Sequence, residues 1–221
     1  MRTKYKPKAV EYLNTHFDNQ FKIDDETSKV ALKEFVLNKK TYLEIGPGKG
    51  QFILNMAQKF PQFNFLVCEL NPTICGIALK KIDESKLTNI KLIYGDFYKL
   101  RDILSEDIFS GLFLNFSDPW PKRRHEKRRL TSDLFLVEYA KVLKNNALIY
   151  FKTDNDGLYE YSLEKFKEYN WEIVLNSLDY NALDEFDAPT EFETRYKNQG
   201  IKIKRLILRK TCNTIKKVIE E

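Results

Sequence analysis

The sequence predicts an α/β fold: a doubly wound, mostly parallel seven-stranded sheet with an antiparallel edge strand. Three observations carry this. Short apolar runs alternate with helix-period segments from Thr41 to Tyr169, the pattern of repeated βα units. These runs are nearly continuous in apolar residues, as strands covered on both faces require. The last two runs, Trp171 to Asn176 and Ile201 to Arg209, have only a polar loop between them, which permits an antiparallel return at one edge. A chain of 221 residues with 43% hydrophobic and 14% aromatic content is expected to fold as one domain over residues 1–221. Its parts are read as a basic N-terminal arm (1–20), a core (21–210) and a C-terminal tail (211–221).

Each element follows from local signals. Asp25 to Asn38 reads as a helix that Asp24 or Asp25 can cap, with apolar positions Val30, Leu32, Phe35, Val36 and Leu37. Thr41 to Ile45 is a strand, Gly46-Pro47-Gly48-Lys49-Gly50 a glycine turn, and Gln51 to Phe60 a helix with Phe52, Ile53, Met56 and Ala57 inward. Phe63 to Cys68 is a strand ending at Glu69, and Pro72 near the start of the next segment suits a helix to Glu84. Ile90 to Tyr94 is a strand ending at Gly95-Asp96, before a short helix near Tyr98 to Leu104. Gly111 to Phe116 and Ala147 to Lys152 are strands, and Ser132 to Leu143 and Gly157 to Tyr169 are helices. Residues 1–20 show no clear periodicity and read as a surface arm.

Composition excludes several classes. No apolar run approaches the roughly 18 residues of a membrane span. The basic stretch Met1 to Lys8 is not followed by an apolar signal core, so the cytosol is the expected location. Three cysteines, Cys68, Cys75 and Cys212, form no CxxC and read as reduced structural thiols. With only His16 and His125, neither a histidine metal site nor a Ser-His-Asp triad is expected. The net charge of +5 is concentrated at Arg2 to Lys8, Lys122 to Arg129 and Lys202 to Lys210, clusters that suit a polyanion such as nucleic acid.

In open α/β sheets ligands lie beyond the carboxyl ends of the strands. Here five successive strand ends carry carboxylates: Glu44 (with Gly46 to Gly50), Glu69, Asp96, Asp118 and Asp154. Gly46, Gly48 and Gly50 let a ligand approach backbone at a helix N-terminus. Gln51 stands where a phosphate loop needs Ser or Thr, and the full GxGxxG spacing is missing. Glu69 ends the second strand, where a carboxylate accepts hydrogen bonds from ribose hydroxyls. Asp96 is placed to meet an adenine edge; its plainer reading is a cap for the helix after it. A ribose and an adenine without pyrophosphate point to S-adenosylmethionine, since an acidic rim disfavours a pyrophosphate.

The most distinctive stretch is Asn115-Phe116-Ser117-Asp118-Pro119-Trp120-Pro121-Lys122, followed by Arg124-His125 and Lys127-Arg128-Arg129-Leu130. Together with Leu43-Glu44-Ile45-Gly46, Gly48-Lys49-Gly50, Phe151-Lys152-Thr153-Asp154-Asn155 and Thr190-Glu191-Phe192-Glu193, it resembles the bacterial tRNA (guanine-N7)-methyltransferase family, of class I methyltransferase fold. The resemblance runs from about residue 20 to residue 209. The Asp-Pro-Trp-Pro-Lys and Thr-Glu-Phe-Glu blocks are its specific parts, and Pro47 departs from the small residue usual at that position.

The resemblance implies methyl transfer from S-adenosylmethionine to N7 of a guanosine in the tRNA variable loop. It implies that Asp118 is the catalytic-site residue and also touches the cofactor, alongside Glu44, Gly46, Gly48, Glu69 and Asp96. It implies substrate binding by Lys122, Asp154, Thr190, Glu191, Phe192 and Glu193. Arg124, His125, Glu126, Lys127, Arg128 and Arg129 would lie against the RNA, gripping phosphates. Asp118, Asp154 and Glu193 stay open as readers of the guanine Watson–Crick edge. Trp120 either stacks on the base or is buried beside its prolines. Ile201 to Arg209 reads first as an edge strand with charged faces and only second as an RNA contact. No obligatory protein partner is expected, and monomer and homodimer are equally open. Two rivals are an amino-methyltransferase acting on DNA, which lacks a recognition domain here, and an RNA-binding scaffold without catalysis, which would show gaps in the cofactor set.

Overall fold

The computed structural model describes residues 4–104, 106–181 and 184–215. Tertiary contacts divide the chain into two units, Met1–Ser105 and Glu106–Glu221.

In the first unit helix α1 (Pro7–Thr15) and strand β1 (Gln20–Phe21) precede helix α2 (Glu26–Asn38). Then come β2 (Thr41–Ile45), α3 (Gln51–Lys59), β3 (Asn64–Glu69), α4 (Pro72–Ser85), β4 (Ile90–Tyr94) and α5 (Phe97–Ile103). The strands run β1-β4-β3-β2, every pairing parallel. β3 is buried at all its positions, as its apolar run Phe65-Leu66-Val67-Cys68 requires. Helix starts are set by side chains that accept otherwise orphaned N–H groups. Asp25 accepts from Ser28, Asn71 from Thr73 and Ile74, and Asp96 from Tyr98.

Residues 4–20 depart from the surface arm expected of them. Pro7 starts a helix whose Leu13 is buried, and the Tyr12 hydroxyl donates to Asp83 on α4 at 2.8 Å. Gly76 makes this approach possible: a Cβ there would sit 1.9 Å from the Ala9 carbonyl oxygen. Nine residues are too few for periodicity to declare a helix, and α1 is held by its partner instead. Residues 1–3, including Arg2 of the first basic cluster, lie outside the described residues. On α2, Leu32 and Val36 are inward as expected, whereas Val30 and Leu37 face solvent.

In the second unit β5 (Phe109–Asn115) leads to a 3-10 helix (Arg123–Arg128) and α6 (Asp133–Val142). They are followed by β6 (Leu143–Thr153), α7 (Asp156–Glu168), β7 (Glu172–Ser177), α8 (Glu191–Lys197) and β8 (Lys204–Arg209). The order is β5-β6-β8-β7, parallel between β5 and β6 and antiparallel in the other two pairings. Three expectations are corrected here. Eight strands, not seven, are present among the described residues, the additional one being the two-residue β1. The connection before β8 contains α8, which Thr190 caps by accepting the Glu193 N–H at 2.8 Å. And β8 is an inner strand: it pairs with β6 and β7, while β7, alternately exposed and half-buried, is the edge. The charges of β8 suggested an edge, but Lys204 and Arg205 are buried and neutralised by acids from elsewhere in the unit. Of the expected tail, residues 211–215 form turns and residues 216–221 lie outside the described residues.

Candidate functional site

In the first unit the carboxyl ends of the strands carry the proposed cofactor set. Gly46, Gly48 and Gly50 all have positive φ, at 71°, 56° and 81°, a region that a side chain resists. A Cβ at Gly46 or Gly48 would meet nothing within 4 Å. These glycines therefore serve the backbone path, and open space lies beside them. Glu44, at the end of β2, is 1% exposed. Glu69 accepts the Asn71 N–H at 2.8 Å, which fixes its carboxylate at the end of β3. Asp96 follows the neighbouring parallel strand β4 and accepts the Tyr98 N–H at 2.9 Å. The capping role read as the plainer alternative for Asp96 is thus real, and it engages one of two carboxylate oxygens. Cys68 and Cys75 are free and buried, and burial pushes both thiols well above their ordinary range, so they remain protonated.

In the second unit the chain leaves β5 through a turn bracketed by two residues in left-handed conformation, Phe116 (φ 51°) and Trp120 (φ 41°). Bulky residues adopt this region only where surroundings enforce it. At Phe116 the main-chain N–H donates to the Lys152 carbonyl at 2.8 Å, and the ring packs on Phe192 and Tyr196 of α8, with centroids 6.1 and 6.0 Å away. At Trp120 the Arg129 guanidinium donates through Nε to the Pro119 carbonyl and through Nη2 to the Trp120 carbonyl, both at 3.1 Å. Asp118, between these anchors, is exposed.

The basic block forms the 3-10 helix rather than a plain loop, and it wraps Trp120. His125 meets the indole edge-on at 5.6 Å, and the Arg128 guanidinium lies 4.9 Å from the ring centroid. Trp120 is half-buried, so its burial beside the prolines holds only in part. Lys122, Arg123, Arg124, Lys127 and Arg128 are exposed and make no ion pair among the described residues; Glu126 is half-buried.

The Thr190-Glu191-Phe192-Glu193 block starts α8. Glu191 and Phe192 are exposed, but Glu193 is 1% exposed and has both oxygens occupied. One accepts from Lys152 at 2.8 Å, the other from Lys197 at 2.7 Å. Lys152 of β6 sits directly opposite Arg205 of β8. Two buried cations facing each other would repel; Asp187 bridges them, 2.7 Å from Lys152 and 2.6 Å from Arg205. The Tyr180 hydroxyl also donates to Asp187 at 2.8 Å. Asp154 is half-buried after β6, and its carbonyl accepts from Lys204 at 2.9 Å.

Sequence reasoning missed Lys152 as an organising residue and did not see Asp187 at all. A lysine within the apolar run Leu148-Ile149-Tyr150-Phe151 was itself the signal, because a buried charge demands partners. The Thr-x-x-Glu spacing at 190–193 also announces a helix start.

A family model described as "Putative methyltransferase" matches residues 38–206, a segment that runs through both units. A tRNA (guanine-N(7)-)-methyltransferase of Staphylococcus haemolyticus is 40% identical over 209 residues, covering 93% of this chain and 96% of the relative. Another, from Mesoplasma florum, is 41% identical over 224 residues and covers 96% of this chain and 100% of the relative. Among solved structures, a 30S ribosomal A1408 methyltransferase from an uncultured bacterium superposes with a TM-score of 0.61 at 16% identity, covering 85% of this chain and 96% of that one. A 16S rRNA (adenine(1408)-N(1))-methyltransferase from Catenulisporales acidiphilia, solved with cosubstrate SAM, gives 0.57 at 7% identity, over 83% and 91% of the two chains. At these identities the structures speak to fold, and the fold is that of a methyltransferase.

Proposed function

The chain belongs to the tRNA (guanine-N(7)-)-methyltransferase family of enzymes, and we propose on that premise that it methylates N7 of a guanosine in the tRNA variable loop, with S-adenosylmethionine as donor, in the cytosol. The observation that carries the reading is the tip of the second unit's strained turn. There an exposed carboxylate, Asp118, is held between two left-handed residues and followed at once by a block with five exposed cations that make no ion pair among the described residues.

The donor set fits the residues present. Glycines of positive φ leave open backbone, and the carboxylates of Glu69 and Asp96 are oriented by main-chain N–H groups, as hydrogen bonds to ribose hydroxyls and an adenine edge require. Glu44 would suit the amino group of the methionine moiety. When bound, S-adenosylmethionine supplies an electrophilic methyl group on a sulfonium.

The chain's own task is orientation and charge. Guanine N7 bears an in-plane lone pair and no proton, so no general base is needed. The enzyme aligns N7 for attack and stabilises positive charge as it moves onto the ring. A carboxylate does the second directly, and it also accepts from guanine N1–H and N2–H₂ together, which adenine does not offer. Because both Glu193 oxygens are engaged by lysines, this reading narrows the Watson–Crick reader to Asp118 or Asp154 and makes Glu193 the anchor of α8. Exposed Glu191 and Phe192 on the first turn of α8 remain substrate contacts, with Thr190 as their cap. Lys122, Arg124, Lys127 and Arg128 hold phosphates.

Unmodified tRNA transcript, methyl-labelled S-adenosylmethionine and nucleoside mass spectrometry test the reading. N7-methylguanosine confined to the variable loop is expected from the native enzyme, and none from Asp118→Ala, whose tRNA affinity stays within about a few-fold of native because phosphate contacts dominate affinity. Label on an exocyclic amino group would refute the assignment of the reacting atom. Full turnover by Asp118→Ala would refute the role of that carboxylate.

A further inference from the structure

Arg128 and Arg129 are adjacent, equally charged and part of one basic block, yet their side chains are used differently. Arg128 is exposed and lies across the face of Trp120. Arg129 turns inward. Its fork donates to two consecutive carbonyls, of Pro119 and Trp120, and its guanidinium lies 4.2 Å from the centroid of the Tyr161 ring on α7. Its own N–H donates to the Glu126 carbonyl at 2.9 Å, closing the 3-10 helix. Burial, with Glu126 and Asp133 near, pushes the Tyr161 phenol far above its ordinary range, so the ring beneath the cation stays neutral. Within the described residues no ion pair balances Arg129; its charge is spent on carbonyl dipoles and a ring face.

We propose that Arg129 is a positioning residue that holds Trp120 in the left-handed region and thereby aims Asp118, rather than a phosphate contact. The turn has two ends that an unassisted chain would relax. The Phe116 end is held by the Lys152 carbonyl and the aromatic packing of α8. The Trp120 end has Arg129. Proline at 119 and 121 limits the turn's own hydrogen bonding, since neither residue has an N–H to donate. The two carbonyls at this end are gathered by a single planar fork. Lysine cannot reproduce this, because a point charge does not span two carbonyls in fixed geometry or stack on a ring in the same way.

The inference rests on the reading that Asp118 faces the reacting guanine, and the test separates the two. Native enzyme, Arg129→Lys and Arg128→Ala are compared by steady-state kinetics on tRNA transcript, by tRNA binding across a salt series, and by thermal melting. Arg129→Lys is expected to fold, to lose at least about tenfold in kcat through misplacement of the carboxylate, and to keep the native salt slope. Arg128→Ala is expected to lower that slope by about one. A native kcat in Arg129→Lys, or a salt slope reduced as in Arg128→Ala, would overturn the proposal. So would failure of Arg129→Lys to fold, which would make the side chain a determinant of the fold as a whole. Absence of N7-methylguanosine from the native reaction would instead remove the reacting guanine, and both readings with it.

Discussion

Residues 122–129 and 202–210 carry six and five positive side chains and look alike as sequence. Their fates are opposite. In the second stretch every cation has an acidic partner: Lys202 with Asp179, Lys204 with Asp156, Arg205 with Asp187 and Asp184, Arg209 with Glu172, and Lys210 with Asp107. In the first, five of six are exposed and unpaired among the described residues, and the sixth, Arg129, is bound to carbonyls. The difference lies in acids far away in sequence. β8 is inserted between β6 and β7, and the unit delivers carboxylates to it from loops and helices on several sides. The 3-10 helix follows a proline-bounded turn, and the acids near it (Asp118, Glu126 and Asp133) form no ion pair with its cations among the described residues. A cluster of like charges therefore marks a polyanion surface only when the fold withholds counter-charges.

Three experiments would break or sharpen this contrast. The largest effect is expected from Arg205→Met. It leaves Asp184 without its cation and removes the Arg205 cation from Asp187 in a dry environment, a loss of about 3–5 kcal/mol that urea unfolding would register. A loss below about 1 kcal/mol would mean that the buried pairs are dispensable and the contrast weaker than drawn. Next is the pair Lys127→Ala and Arg128→Ala, which should lower the salt slope of tRNA binding by about one per phosphate contact removed, while Lys202→Ala leaves the slope unchanged. Equal changes at both places would erase the distinction. The smallest effect belongs to Arg209→Gln. With Arg209 and Glu172 exposed by 38% and 47%, solvent screens their pair, and thermal melting should show no more than about 1 kcal/mol.

The same contrast explains what could be seen in advance. β2, β3, β4 and β5, and the helices after the first three, were legible because apolar run, turn and cap lie next to one another along the chain. The carboxylates at strand ends were legible for the same reason: a strand's direction fixes where its last residue points. What escaped reading depended on neighbours remote in sequence. Nothing local distinguishes Asp187 from the five other acids from Asp179 to Glu193, and only the meeting of β6 with β8 gives it two cations to bridge. β8 was misplaced at an edge because its charges were counted without their partners. Arg129 was grouped with Arg128 because one residue of spacing says nothing about which guanidinium turns inward. The Thr-x-x-Glu helix start was within reach and was overlooked beside the resemblance.

The seating of α1 on α4 bears on how the chain comes to be folded. The Lys6 main-chain N–H donates to the Thr73 hydroxyl across a separation of 67 residues, and the nine-residue helix it precedes is seated on that distant partner. A helix so short is marginal in water by itself, and closing a loop of this length carries an entropic cost that must be met before any contact is gained. During synthesis α1 emerges well before α4 exists to receive it. It is therefore expected to wait, unsupported, while strands and helices downstream assemble. A segment made before its partner is thereby expected to be among the last to be locked in place.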